Sequence, residues 1–276
     1  MNANLLVGMR VEKKASVRRW FGVTFDQFRI HLLPFVVLIL IWWLAKLAFD
    51  LDDRIIPWPT DLIAAAGELL QKGILIDYMS STLVRILAAC LVGIPLGIVL
   101  GMLLGLNRRV SRSLLPFFNF NQALSGIAWL PMAVIWMGFG EVTILALILY
   151  TLVFPIIFNT IVGVSSVPIN LINATRVFGA RRWYLYRSVW FPGALPSILT
   201  GVRLGVGYGW RALVGSEMIV ASSGLGVLLF DSRGFQQTDR ILLGMVLTGA
   251  LWLATDHLFL RPVEAHTVQR WGMVHR

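Results

Sequence analysis

Four charged side chains stand inside otherwise apolar runs of this sequence, and they are the residues best suited to act on a solute. Arg203, Arg211 and Glu217 interrupt the stretch 195–220, and Arg85 interrupts 78–106. Charge at membrane depth is expensive, so such groups face a bundle interior, a watery cavity or one another. Arg211 lies deeper than Arg203 and is the preferred candidate for steadying an anion in transit, with a structural ion pair as its rival. Arg203 could equally snorkel or brace the polar loop that precedes it. Arg211 and Glu217 are six residues apart and fall on different helix faces, whereas Arg85 could pair with Glu217. Trp210, beside Arg211, is either packing or a gate, and packing is the plainer reading.

A second set is polar and basic. Residues 173–192 read N-A-T-R-V-F-G-A-R-R-W-Y-L-Y-R-S-V-W-F-P and hold Arg176, Arg181, Arg182 and Arg187 between two long apolar blocks. An excess of basic residues in a short loop between spans places that loop in the cytoplasm. A helix running through Phe178 meets Gly179, suited to the left-handed conformation that ends helices, and a second helical run continues to Pro192. The spacing predicts a bent pair of short helices. The plain alternative is an amphipathic helix on the lipid headgroups, with Trp183, Tyr184, Tyr186 and Trp190 as interfacial anchors.

The intervals here resemble the signature of ABC-importer permeases: Glu-Ala-Ala, three residues, Gly, nine residues, an aliphatic, one residue, Leu-Pro. The matching positions are Asn173, Ala174, Thr175, Gly179, Val189, Phe191 and Pro192, with Asn173 in place of Glu, Thr175 of Ala and Phe191 of Leu. Further segments, in order, are similar to the nitrate/sulfonate/taurine-type branch. They are Leu130-Pro131, Ile135-Trp136-Met137-Gly138-Phe139-Gly140-Glu141, Gly193-Ala194-Leu195-Pro196, Thr200 to Trp210, Glu217-Met218-Ile219 and Ser223-Gly224-Leu225-Gly226.

The resemblance implies an all-α integral membrane protein of the type I importer permease kind, with six transmembrane helices and a cytoplasmic coupling-helix loop. In that loop Asn173, Ala174, Thr175, Arg176, Gly179, Ala180, Arg181 and Arg182 would contact an ATPase. The implied partners are a second copy of the chain, two cytoplasmic ABC ATPase subunits that carry ATP and Mg, and a periplasmic or lipid-anchored solute-binding protein. The chain itself would bind no cofactor and catalyse no reaction. Its cargo would be nitrate, a sulfonate, taurine or a similar small anion, or else a different small organic solute. Arg211, Trp210, Arg203, Glu217 and Arg85 are the candidates for lining the path.

The elements that must hold these residues are membrane spans. A chain of 276 residues with 57% hydrophobic and 14% charged content has the bilayer as its solvent. Its formal net charge of +10 comes from basic residues in short segments beside apolar runs, a topology signal rather than a nucleic-acid surface. At about 20 apolar residues per span, segments near 30–49, 78–106, 120–139, 142–163, 195–220 and 240–260 qualify. Residues 1–29 and 261–276 are then a cytoplasmic N-terminal segment and tail, and the resemblance implies that 164–194 is the coupling loop and the whole a multi-pass protein of the bacterial inner membrane. The run after the basic N-terminus lacks a small-residue cleavage site and reads as a retained span.

Within the spans, Gly93, Gly97, Gly101 and Gly105 recur every fourth residue and predict a close helix contact. Polar residues between Pro116 and Pro131 suggest irregular backbone, near the path or at an interfacial entry helix. After Pro57-Trp58-Pro59 a helical pattern through Leu70 suggests a surface helix, and a simple loop is the alternative. Cys90 stands alone in an apolar run, which excludes a disulfide within the chain. No phosphate loop or metal-ligand cluster is visible. A membrane-embedded enzyme would use Arg211, Glu217, Asp231 and His257, but these are dispersed along the chain; an ion channel would have no use for the 173–192 signature.

Overall fold

The computed structural model describes residues 25–49 and 52–264, and every regular element among them is helical. The chain divides into two units between Asp61 and Leu62. In the first, the apolar helix α1 (Phe25–Phe49) carries Lys46 in its last turn. Lys46 is buried; its ammonium binds the Asp53 carboxylate and the Ile56 carbonyl and stands 5.1 Å from the Trp58 ring centroid. A buried cation needs such acceptors, and they tie the chain leaving α1 back onto its end. The Trp58 N–H donates to Asp61 (2.8 Å), and Pro59 opens α2 (Pro59–Gln71), where a missing N–H does no harm. A helix is therefore present where the sequence predicts one after Pro57-Trp58-Pro59.

The second unit runs through α3 (Ile74–Gly105), α4 (Arg108–Ala123), a 3-10 turn (Gly126–Trp129), α5 (Leu130–Met137) and α6 (Glu141–Ser166). It continues with α7 (Ile169–Val177), α8 (Arg182–Val220), α9 (Leu225–Gly234) and α10 (Thr238–Leu260). Among the described residues α3, α6, α8 and α10 are each long and apolar enough to cross a bilayer, and Leu33–Phe49 and Gly126–Met137 are shorter apolar segments.

Helix α6 is the axis of this unit, with α3 parallel to it and α8 antiparallel. The glycine stripe of α3 makes the first contact: a Cβ at Gly97 would stand 2.8 Å from Ile156 Cβ, and one at Gly105 2.9 Å from Val164 Cβ. Gly201 and Gly205 of α8 do the same, since a Cβ at Gly205 would meet the Leu152 carbonyl oxygen at 2.6 Å. Burying apolar surface gives helices no advantage over lipid tails, so close van der Waals approach has to hold them. Ile144, Ile148, Leu152 and Ile156 of α6 are fully buried, and large apolar residues also cover the outside, Leu91 being 78% exposed, while Thr82 and Glu217 are fully buried polar groups. An apolar exterior suits a hydrocarbon solvent.

Two stretches differ from the sequence reading. The segment near 120–139 is not one rod: Asn107 caps α4 by accepting the Arg109 N–H (3.1 Å), so a helix already begins between the segments read as spans at 78–106 and 120–139. The backbone then turns extended at Leu124 and Ser125 before the 3-10 turn. Gly126 is pressed against Thr151 with no room for a Cβ, and that close approach fixes the break. The second difference is at Pro192, which does not end a short helix. α8 passes through it, because the Phe191 N–H bonds back to the Tyr186 carbonyl across a π-helical turn at Tyr186–Trp190. The widened turn frees the carbonyls that a proline ring would otherwise crowd.

Candidate functional site

The spanning-helix charges resolve into one closed cluster and one open cavity. In the cluster, Arg85 of α3 is buried, and its Nη1 donates to Glu217 Oε1 of α8 (2.7 Å) and to the Ser223 carbonyl (2.6 Å). Its Nε and Nη2 grip both oxygens of Glu141 at the start of α6 (2.8 and 2.5 Å). Glu217 also accepts from Thr82 Oγ1 (3.0 Å) and from the Gly226 N–H (3.0 Å), and the Leu225 N–H donates to Thr82 Oγ1 (2.9 Å). Every oxygen of the buried carboxylate is thus satisfied, the condition under which a buried pair is tolerable.

This cluster explains the Ser223-Gly224-Leu225-Gly226 run. Gly224 has φ +129°, and a Cβ there would meet Glu217 Oε1 at 2.5 Å and Arg85 Nη1 at 2.8 Å. A Cβ at Gly226 would meet Glu217 Cβ at 2.5 Å. Both glycines let the loop after α8 fold onto the ion pair and offer it a carbonyl and an N–H.

Arg211 is arranged the other way. It is exposed, and among the described residues it pairs with no carboxylate; its guanidinium carbon stands 5.5 Å from the Tyr208 ring centroid one turn back. It lines a cavity of about 230 Å³ with Asn121, Gln122, Ser125, Tyr150, Thr151 and Tyr208. A polar relay runs along its wall: Trp129 Nε1 donates to the Tyr150 hydroxyl (3.0 Å), which donates to Asn121 Oδ1 (3.1 Å). Asn121 Nδ2 in turn donates to the Phe117 carbonyl (2.9 Å). The non-helical backbone at Leu124 and Ser125 also opens here, and such backbone is tolerated at membrane depth only against protein or a watery space. The cavity therefore combines one cation with hydroxyl and amide groups, a set suited to an oxyanion.

The remaining candidates fall apart from these two. Arg203 reaches Asp256 in the π-helical turn that closes α10 (3.0 Å), and Arg261 Nε shares the same carboxylate (3.0 Å), where the sequence offered snorkelling or bracing of the loop. Trp210 is buried edge-on to Trp252 (6.5 Å) with its Nε1 unpartnered, which is packing geometry. Of the path candidates, then, Arg85 and Glu217 are joined to each other, and Arg211 is the one left open. Glu141 and Asp256 were missed as partners; the imbalance was readable, since Glu141 is the sole acidic residue between Tyr78 and Ser216. Tyr150 carried no such signal, because a lone polar residue in an apolar run rarely reveals which face it takes, whereas Asn121, Gln122 and Ser125 belong to the polar stretch between Pro116 and Pro131 that the sequence places near the path or at an entry helix.

The 173–192 segment forms a surface hinge. α7 ends at Val177, Gly179 takes φ +80°, and α8 starts at Arg182. Val167, Ile172, Leu185 and Val189 make a small core beneath it, packed by Ala180 and Trp190. Thr175 bonds the Leu171 carbonyl (2.8 Å), while Asn173, Ala174, Arg176, Arg181 and Arg182 are exposed, and Val177 and Phe178 stand 85% and 88% exposed at the bend.

The family model described as the binding-protein-dependent transport system inner membrane component matches residues 93–259. The taurine transport system permease protein of Escherichia coli (strain K12) is 31% identical over 275 residues, 96% of this chain and 98% of that protein. A putative aliphatic sulfonates transport permease protein of Bacillus subtilis (strain 168) is 31% identical over 233 residues, 84% of each chain. The nitrate import permease protein of Synechocystis (strain PCC 6803 / Kazusa) is 30% identical over 156 residues, 56% of each.

Proposed function

Because this chain belongs to the binding-protein-dependent transport system inner membrane components, we propose that it lines the import path of a small anion, held in transit by Arg211. It is an all-α, multi-pass permease subunit of an ABC importer and not an enzyme, and its family implies an ATPase and a solute-binding protein as partners. The observation that carries the cargo reading is the contrast among its membrane arginines: Arg85 and Arg203 hold carboxylates, whereas Arg211 faces a polar cavity.

Six crossings follow if α1 and the Gly126–Met137 segment are added to the four long helices, which puts both termini in the cytoplasm. Two copies would enclose one path. In each, the hinge from Asn173 to Arg182 would seat on an ATPase subunit that holds ATP and Mg. Closure of the ATPases on ATP would move both hinges as rigid bodies. α8 continues unbroken from the hinge to Arg211, so the same helix would carry that movement to the cavity. Taurine, nitrate and sulfonates, the solutes in the names of the relatives, are the cargo to try first.

Reconstitution with the ATPase and binding protein in liposomes tests the cargo reading. One of these anions should stimulate ATP hydrolysis, and Arg211→Gln should lower the stimulation about tenfold, as expected for losing a charge-assisted bond. Undiminished stimulation in that variant would sink it. For the hinge, Gly179→Pro should release the ATPase during purification in detergent, since proline cannot take a positive φ; continued copurification would remove the hinge from the contact.

A further inference from the structure

We propose that a second basic cavity, between the end of α3 and the hinge, holds the phosphate of an anionic membrane lipid. Arg108 at the first turn of α4, Arg176 at the end of α7 and Arg182 at the start of α8 converge on one open cavity of about 680 Å³, with Trp183, Tyr186 and Trp190 along its wall. Among the described residues none of the three guanidiniums pairs with a carboxylate. Nor does the local sequence offer one, because no acidic residue lies within 78–140 or 142–216. Three like charges sharing a cavity repel one another, and an anion placed among them removes that penalty.

The surroundings select a lipid as the source of the phosphate. The cavity begins at Leu106, one residue beyond the end of the spanning helix α3, which is the depth of the headgroups. Its aromatic wall suits the same depth, since tryptophan and tyrosine favour the interface between hydrocarbon and water. Trp183 and Tyr186 are stacked, with centroids 5.6 Å apart and planes 8° from parallel, so the wall is preformed. Tyr186 and Trp190 are the first and last residues of the π-helical turn, an irregularity often found at binding sites. Basic pockets between spanning helices are how membrane proteins hold phosphorylated headgroups. Thr175, Gly179, Ala180 and Arg181 line a separate concavity, so the hinge would seat on its ATPase by that face while Arg176 and Arg182 turn to the lipid.

Native mass spectrometry of the full chain in detergent, titrated with dioleoyl phosphatidylglycerol or dioleoyl phosphatidylcholine, tests the assignment. The wild type should prefer phosphatidylglycerol, and each of Arg108→Gln, Arg176→Gln and Arg182→Gln should cut that preference about fivefold, the weight of one basic residue at a charged surface. Arg233→Gln, which removes an exposed arginine of α9, should leave the preference unchanged. An equal loss in Arg233→Gln would reduce the effect to net charge and overturn the site. Displacement of phosphatidylglycerol by inorganic phosphate would assign the cavity to a soluble anion and overturn the lipid. Thermal melts accompany each variant; if one of the three misfolds, the other two still decide, and a preference unmoved in both refutes the proposal.

Discussion

Arg85 and Arg211 are the same side chain on two spanning helices, and their surroundings are opposites. Arg85 is enclosed by two carboxylates and a carbonyl, beneath a loop whose glycines exist to close over it. Arg211 opens onto a cavity whose other polar groups are neutral. The first arrangement ties α3, α6 and α8 together near one end of the bundle. The second leaves a cation that, among the described residues, has no carboxylate partner and faces a polar space well inside α8. Arginine within a membrane span is therefore not one signal but two, separated by whether the fold provides a carboxylate.

The comparison is broken most forcefully at its buried side. Glu217→Ala removes the one fully buried partner of Arg85 and leaves the Gly226 N–H and Thr82 hydroxyl without their acceptor. It should destabilise the purified protein by about 3–5 kcal/mol, read as a large fall in thermal midpoint; a midpoint within a degree of wild type would show that the cluster is not a brace. Gly224→Ala should follow at about 1–3 kcal/mol, from strain at its positive φ and collision with the Glu217 carboxylate. If it melts like the wild type, the loop does not clamp the pair.

Arg211→Gln sharpens the contrast. Its stability should change by less than about 0.5 kcal/mol, as for an exposed site, while cargo-stimulated hydrolysis falls. A fall in melting temperature equal to that of Glu217→Ala would erase the distinction. The smallest effect is expected at Glu68 of α2, whose carboxyl is held below the usual range by Lys72 and by Arg240 (2.9 Å). A lowered folded pKa adds stability above the unfolded pKa that is lost as pH falls through the folded one. A proton titration of Glu68 by NMR should therefore give a midpoint below that of an isolated glutamate, moving up in Arg240→Gln; a midpoint at the isolated value would leave this surface contact without weight.

Much of this was legible in one dimension. Hydropathy marked α3, α6, α8 and α10; the four-residue glycine spacing announced a close helix contact on α3, though not its partner; and Gly179 marked the hinge, because only local backbone geometry was needed to place it. The Arg85–Glu217 pair could be offered as a possibility but not decided, since 132 residues separate the two side chains. Glu141, the sole acidic residue between Tyr78 and Ser216, stood out by charge balance, but which arginine it meets, like the pairing of Asp256 with Arg203, depends on helix rotation. Pro192 misled for a related reason: a π-helical turn depends on packing around it and leaves no periodic trace.

By itself, then, the amino-acid sequence determined the solvent this protein lives in, the approximate position of its long helices and the break at Gly179, all consequences of local chemistry repeated at helical spacing. The tertiary structure alone decided which arginines are neutralised and which is open. Charge pairing at membrane depth is set by how helices distant in the chain rotate against one another, and here glycines on α3 and α8 fix that rotation around α6.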